Sequence, residues 1–148
     1  MRHPIGKIVT VAAAIAATVT LTACDRPLPK ITVLSGSTTV VLGPQTYCFD
    51  ATHCHHAKGN VPTIHAVAGA TLLIDVPRDV ASHSWSVSSG TFVSADSFQS
   101  FQGENYSSGT VKNSHSARVD VPYGVGTYAI AVQTNGLSAW VANVSVSR

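Results

Sequence analysis

Alternation at the C-terminal end constrains this chain more than any other feature. Tyr128, Ile130 and Val132 are spaced two apart, Asn135-Gly136 follows, and Trp140, Ala142, Val144 and Val146 then alternate with Val141, Asn143, Ser145 and Ser147. A period of two places every second side chain on one face of an extended strand. Asn-Gly supplies the positive φ angles of a tight hairpin turn, so the segment predicts two antiparallel strands that share an apolar face.

The same period recurs upstream. Ile31-Thr-Val33 and Thr39-Val-Val-Leu42 flank Ser35-Gly36-Ser37 and predict a hairpin. Gly43-Pro44 breaks the pattern, Thr46-Tyr-Cys-Phe49 restarts it, and Asp50 to Asn60 is expected to be a loop. Thr63-Ile-His-Ala-Val67 and Leu72-Leu-Ile-Asp-Val76 flank Ala68-Gly69-Ala70 and predict a further hairpin, closed by Pro77. His83-Ser-Trp-Ser-Val87 puts Trp85 and Val87 on one face, with Trp85 the expected centre of the core. Ser88 to Ser116 is polar, with Thr91-Phe-Val93 and Phe98 to Phe101 as short edge strands, and Arg118-Val-Asp-Val121 resumes before a turn over Pro122 to Gly126. No segment after the leader carries a helical period. The expectation is all-β: an antiparallel two-sheet β-sandwich of seven to nine strands, immunoglobulin-like in general architecture.

The first residues have a different character. Arg2 and Lys7 precede an apolar run from Ile8 to Ala23, too short and too rich in Ala and Thr for a stable membrane span, and Leu21-Thr-Ala-Cys24 offers small residues at a cleavage point. This resembles a bacterial lipoprotein signal. The resemblance implies that residues 1–23 are removed, that Cys24 carries a diacylglycerol and often an amide-linked acyl chain such as palmitate, and that residues 24–30 form a lipidated spacer. Two or three acyl chains, at about 0.8 kcal/mol per buried methylene, hold a protein stably. The expected location is the extracytoplasmic face of the cell membrane, with residues 31–148 as one β-sandwich domain.

Removing 23 of 148 residues leaves 125, enough for one modest core. Of nine Lys and Arg two lie in the leader, so seven face seven Asp and Glu and the remaining domain is close to neutral. That balance provides no electrostatic footprint for nucleic acid. With Cys24 assigned to lipid, Cys48 and Cys54 are an even pair in an oxidising compartment and are expected to form a disulfide that pins a hairpin or bend.

Cys24 behind its lipobox, Pro44-Gln-Thr-Tyr-Cys48 followed by Cys54, and Gly69 with Leu72-Leu-Ile-Asp-Val-Pro77 occur together here. With His83-Ser-Trp-Ser-Val87 and Tyr128-Ala-Ile-Ala-Val-Gln133, they make the chain similar to actinobacterial lipoproteins of the domain of unknown function 2771 family. The resemblance implies lipid anchoring, a disulfide and a β-rich fold; it implies no reaction, cofactor or catalytic residue.

Candidate chemistry is sparse. His53, His55 and His56 around Cys54 are zinc- or copper-type ligands, so an extracytoplasmic metal carrier is one alternative. Against it, a disulfide removes the Cys54 thiolate, adjacent His55 and His56 point apart in extended backbone, and no Met follows the initiator to serve as a blue-copper axial ligand. Gly124-Val-Gly126-Thr-Tyr-Ala129 matches a dinucleotide fingerprint in letters, but a strand follows where a helix is required. There is no Gly-x-Ser-x-Gly elbow and no Ser-x-x-Lys motif, and the single Glu, Glu104, gives no carboxylate pair with another Glu. Phe92, Phe98, Phe101 and Tyr106 in the polar excursion suit contact with a protein or glycan, which makes an inhibitor or modulator of an extracytoplasmic hydrolase a second alternative. The expectation is a non-catalytic binding module without cofactor, its partners the membrane through Cys24 and an envelope protein or glycan.

Overall fold

The computed structural model describes residues 26–92, 101–107, 110–134 and 138–148. In chain order the elements are β1 (Ile31–Ser35), β2 (Thr38–Leu42), β3 (Thr46–Cys48), β4 (Cys54–His56), β5 (Thr63–Val67) and β6 (Thr71–Asp75). They continue with the helical turn α1 (Arg78–Ala81), β7 (Trp85–Phe92), β8 (Phe101–Ser107), β9 (Ser116–Asp120), β10 (Gly126–Thr134) and β11 (Ser138–Ser147). One sheet has the order β2-β1-β6-β9; the other runs β4-β3-β11-β10-β7-β8, with β5 also on β11. Two sheets face each other across a single apolar core, as the alternating pattern requires.

The expected hairpins at both ends of the chain form. β1 pairs with β2 around Gly36, and β10 pairs with β11 in the register that sets Tyr128 opposite Val144, Ile130 opposite Ala142 and Val132 opposite Trp140. The Asn135-Gly136 turn, the leader, Cys24 and Phe98 lie outside the described residues. Gly126 opens β10 directly, so the glycine fingerprint leads into a strand and not a helix.

Three expectations need correction. Thr63 to Val76 is not a hairpin: β5 runs parallel to β11 in one sheet, while β6 lies between β1 and β9 in the other. Gly69, at φ +75°, turns the chain across the core, so that Ile64 and Ala66 face Leu72 and Ile74 from opposite layers. A hairpin would have set both apolar rows side by side in one sheet. Second, the tryptophan strand runs on to Phe92 through Ser88-Ser89-Gly90, because β10 on one side and β8 on the other satisfy its backbone groups whatever the side-chain propensity. Third, residues 54–56 are a strand, which raises the count among the described residues to eleven.

Trp85 and Trp140 are 1% and 0% exposed, so the expected centrepiece is one of two. Each indole N–H donates to a carbonyl outside the strands: Trp85 Nε1 to Ser114 O at 3.0 Å, and Trp140 Nε1 to Pro29 O at 3.0 Å. Buried polar groups are otherwise well matched; Ser35, for example, donates its hydroxyl to His65 O at 2.8 Å. Tyr128 is the exception. Its hydroxyl oxygen is buried with no partner among the described residues, and burial pushes its phenol up to about 12.

An unmade hydrogen bond at a buried hydroxyl is destabilising, so Tyr128→Phe is expected to raise unfolding stability by about 1 kcal/mol in denaturant titrations at neutral pH. The sign also shows in alkali. The unfolded phenol ionises at about 10, and folding then opposes ionisation, so wild-type stability falls as pH rises from about 10 toward 12. Tyr128→Phe should lack that part of the alkaline loss.

Candidate functional site

Chemistry-bearing side chains gather at the edge of the larger sheet, on the β3–β4 hairpin. Thr46 of β3 opposes His56, Tyr47 opposes His55, and Cys48 opposes Cys54. The two cysteines are bonded, with Cα atoms 4.0 Å apart. Backbone bonds from Phe49 N to His53 O (3.0 Å) and from Ala57 N to Gln45 O (2.8 Å) close the hairpin above and below the bridge. The disulfide therefore pins a hairpin whose tip is Phe49 to His53.

Asp50 organises that tip. Its Oδ1 accepts from Thr52 N (2.7 Å), Thr52 Oγ1 (2.7 Å) and His53 N (2.9 Å), and its Oδ2 accepts from His53 Nδ1 at 2.8 Å. The Thr52 hydroxyl, then the Thr52 N–H and the His53 ring, hold the Asp50 carboxyl well below the usual carboxylate range. An Asp followed two residues later by Thr is a local turn signal of the Asx kind.

Aromatic packing ties the hairpin to the core. Tyr47 meets Trp140 edge to face at 6.1 Å between ring centroids, and Phe49 at 5.1 Å. Phe49 remains 47% exposed, so a row of rings leads from the buried indole to the surface, with His55 opposite Tyr47 on the same side. His56 projects to the other side, where its Nδ1 lies 3.2 Å from Thr46 Oγ1. The three loop histidines thus divide: His53 belongs to the Asp50 turn, and His55 and His56 occupy opposite faces of β4. Among the described residues no three His, Cys, Asp or Glu side chains cluster in a way that could hold a metal ion.

A second exposed surface lies at one end of the sandwich. The Tyr123 ring lies against Gly69, where an added Cβ would sit 2.6 Å from Tyr123 Cε1. Val67 adjoins that turn and pairs with Ser147, while Gly126, next to Val125, pairs with Val146. Tyr123, Val67 and Val125, 89%, 56% and 56% exposed, crown the end where β11 finishes. Trp140 and the chain entry at Pro29 mark the other end. Pattern reading missed this crown because an exposed turn carries no period. Of the aromatic excursion, the backbones of Phe92, Phe101 and Tyr106 lie in the paired strands β7 and β8.

Breaking the bridge removes a short-loop constraint from the unfolded chain, so Cys48→Ser/Cys54→Ser should lose about 2 kcal/mol in denaturant titrations. Asp50→Ala should instead leave the bridge closed and abolish hydrogen-exchange protection at the Thr52 and His53 amides. In the wild type that protection should survive acidification through the ordinary carboxylate range and fade only as pH falls through the depressed value.

No curated protein matches the chain. Among solved structures, the soluble domain of PmoD from Methylocystis sp. ATCC 49242 (Rockwell) is similar at 11% identity and a TM-score of 0.45, over 79% of this chain and 89% of that one. The family model "Protein of unknown function (DUF2771)" matches residues 25–123, taking in the stapled hairpin, the Gly69 turn and the Trp85 strand, so this chain belongs to the DUF2771 family.

Proposed function

We propose that this protein is a lipid-anchored binding module of the cell envelope, held on the extracytoplasmic face by acyl chains on Cys24 and acting without catalysis. The bonded Cys48–Cys54 pair carries the reading. An accessible disulfide on an edge hairpin persists in an oxidising compartment and is reduced in a cytosol. The cationic leader and the Leu21-Thr-Ala-Cys24 box give the route to that compartment.

Fold geometry is consistent with such an anchor. Pro29 enters beside Trp140, and Arg26 reaches Asp79 at 3.5 Å, so the segment that follows Cys24 in the chain packs at the end that holds α1. The Tyr123 crown then faces away from the membrane. The contact element in this reading is the stapled hairpin, whose Tyr47, Phe49 and His55 face combines rigid rings with an imidazole, a composition suited to a glycan or a protein surface.

Metabolic labelling with an alkyne-tagged palmitate, in a host that acylates lipoproteins, tests the anchor. Wild type should take up label and Cys24→Ala should take up none, while Cys48 and Cys54 resist alkylation until a reductant is added. Label retained on Cys24→Ala, or absent from the wild type, would overturn the assignment.

A further inference from the structure

An open pocket of about 340 Å³ is lined by Arg78, Ala81, Ser82, Asn113 and His115, none of them a residue of the stapled hairpin. Its two walls come from segments more than thirty residues apart, and each is fixed by bonds of its own. On one side Pro77 O accepts from Val80 N (3.0 Å) and Ala81 N (2.9 Å), forming the single turn of α1 with Val80 and Ala81 buried beneath it. On the other, Trp85 exchanges backbone bonds with Val111 and gives its indole proton to Ser114 O, while His115 O accepts from Val76 N at 2.8 Å. Asn113 takes φ +53°, alone in the left-handed region among the described non-glycine residues. Asn tolerates that conformation where most side chains do not.

The pocket wall presents a guanidinium, a side-chain amide and an imidazole. His115 Nδ1 donates to Val76 O at 3.3 Å, which leaves Nε2 as that ring's remaining polar atom. The Ser82 hydroxyl already donates to Asp79 O at 3.0 Å, so Ser82 forms wall and not ligand. Arg78 has no ion-pair partner among the described residues. Neither Asp75 nor Asp79 lines the pocket, and the Asp79 carboxylate is countered by Arg26. A guanidinium with a side-chain amide beside it and no carboxylate in the wall is arranged for an oxyanion.

We propose that this pocket binds a phosphate group, and that the phosphate is that of an anionic lipid headgroup. Arg78 holds its charge, the Asn113 amide donates to a remaining oxygen, His115 Nε2 accepts from a headgroup hydroxyl, and Ala81 forms the apolar floor. The lipid source rests on the anchor reading above. Arg26, paired with the residue next to Arg78, is two residues from Cys24, and two residues span at most about 7 Å. Acyl chains on Cys24 therefore bring the pocket to the level of the headgroups. Lys30 and Lys112 are exposed near the same end and add positive charge.

The test uses the full chain in nonionic detergent, read by ¹⁵N shifts of the Asn113 side-chain amide and the His115 ring. Two probes are titrated: micelles doped with phosphatidylglycerol, and dissolved inorganic phosphate. Doped micelles should give saturable shifts, weakened about tenfold or more by Arg78→Ala, since losing one charge-assisted contact costs at least 1.4 kcal/mol. Asn113→Gly, which keeps the backbone angle and removes the amide, should weaken the His115 response, and Arg148→Ala at the opposite end should leave it unchanged. The indole resonance of Trp85 bonded to Ser114 reports that each variant remains folded. Shifts that ignore Arg78→Ala, or no shift with either probe, would remove the site. Shifts with inorganic phosphate and none with doped micelles would overturn the headgroup assignment. A Cys24→Ala chain that takes up no palmitate label but shifts normally supports the site independently of the anchor; a wild type without label that still shifts would remove the anchor alone.

Discussion

Two buried indoles hold this molecule's irregular parts to its regular ones. A strand can satisfy its own backbone through its neighbours, but the entry segment at Pro29 and the crossing at Ser114 have no ladder to join. Trp140 and Trp85 reach each of them with a hydrogen bond from inside the core. Because a buried indole N–H must find an acceptor, the tryptophans fill volume and also dictate where these two segments lie. Both sit toward the same end of the larger sheet, Trp140 opposite Val132 and Trp85 opposite Thr134. That end consequently becomes the ordered, polar one, where chain entry, α1, the oxyanion pocket and the stapled hairpin all converge.

Much of the layer structure was legible because period two is a local consequence of backbone geometry. Ile130 and Val132, or Trp140 and Val144, need only their spacing to declare a buried face. What spacing cannot encode is which sheet receives a strand. Ala68-Gly69-Ala70 looks the same whether the chain folds back beside itself or crosses the core, and the choice rests on long-range partners: β11 for β5, β1 and β9 for β6. The Ser88-Ser89-Gly90 stretch fails for a related reason. Its side chains have little strand preference, and only flanking β10 and β8 make it a strand.

The candidate sites divide along the same line. The Cys48 and Cys54 pair and the neighbouring histidines stand out in the linear chain, and even the Asp50 turn has a local signature in Asp-x-Thr. Arg78, Asn113 and His115 carry no motif. They come together because Val76 bonds to His115 and Trp85 to Val111 and Ser114, pairings set by the fold and not by proximity in the chain.

The polarity of the molecule follows from these constraints. At the entry end, backbone and side chains are locked by indoles, a disulfide and the Asp50 turn, so groups there are held at fixed spacing before any ligand arrives, which lowers the ordering cost of binding. At the other end Tyr123, Val67 and Val125 are exposed on turns, and the Tyr128 hydroxyl is left without a partner among the described residues. The domain thus concentrates its fixed polar groups at one end and its exposed apolar side chains at the other. The β-sandwich between them sets the distance. Its two sheets keep the ends apart by the length of β11, which runs from beside the hairpin at Ala139 to the crown at Ser147.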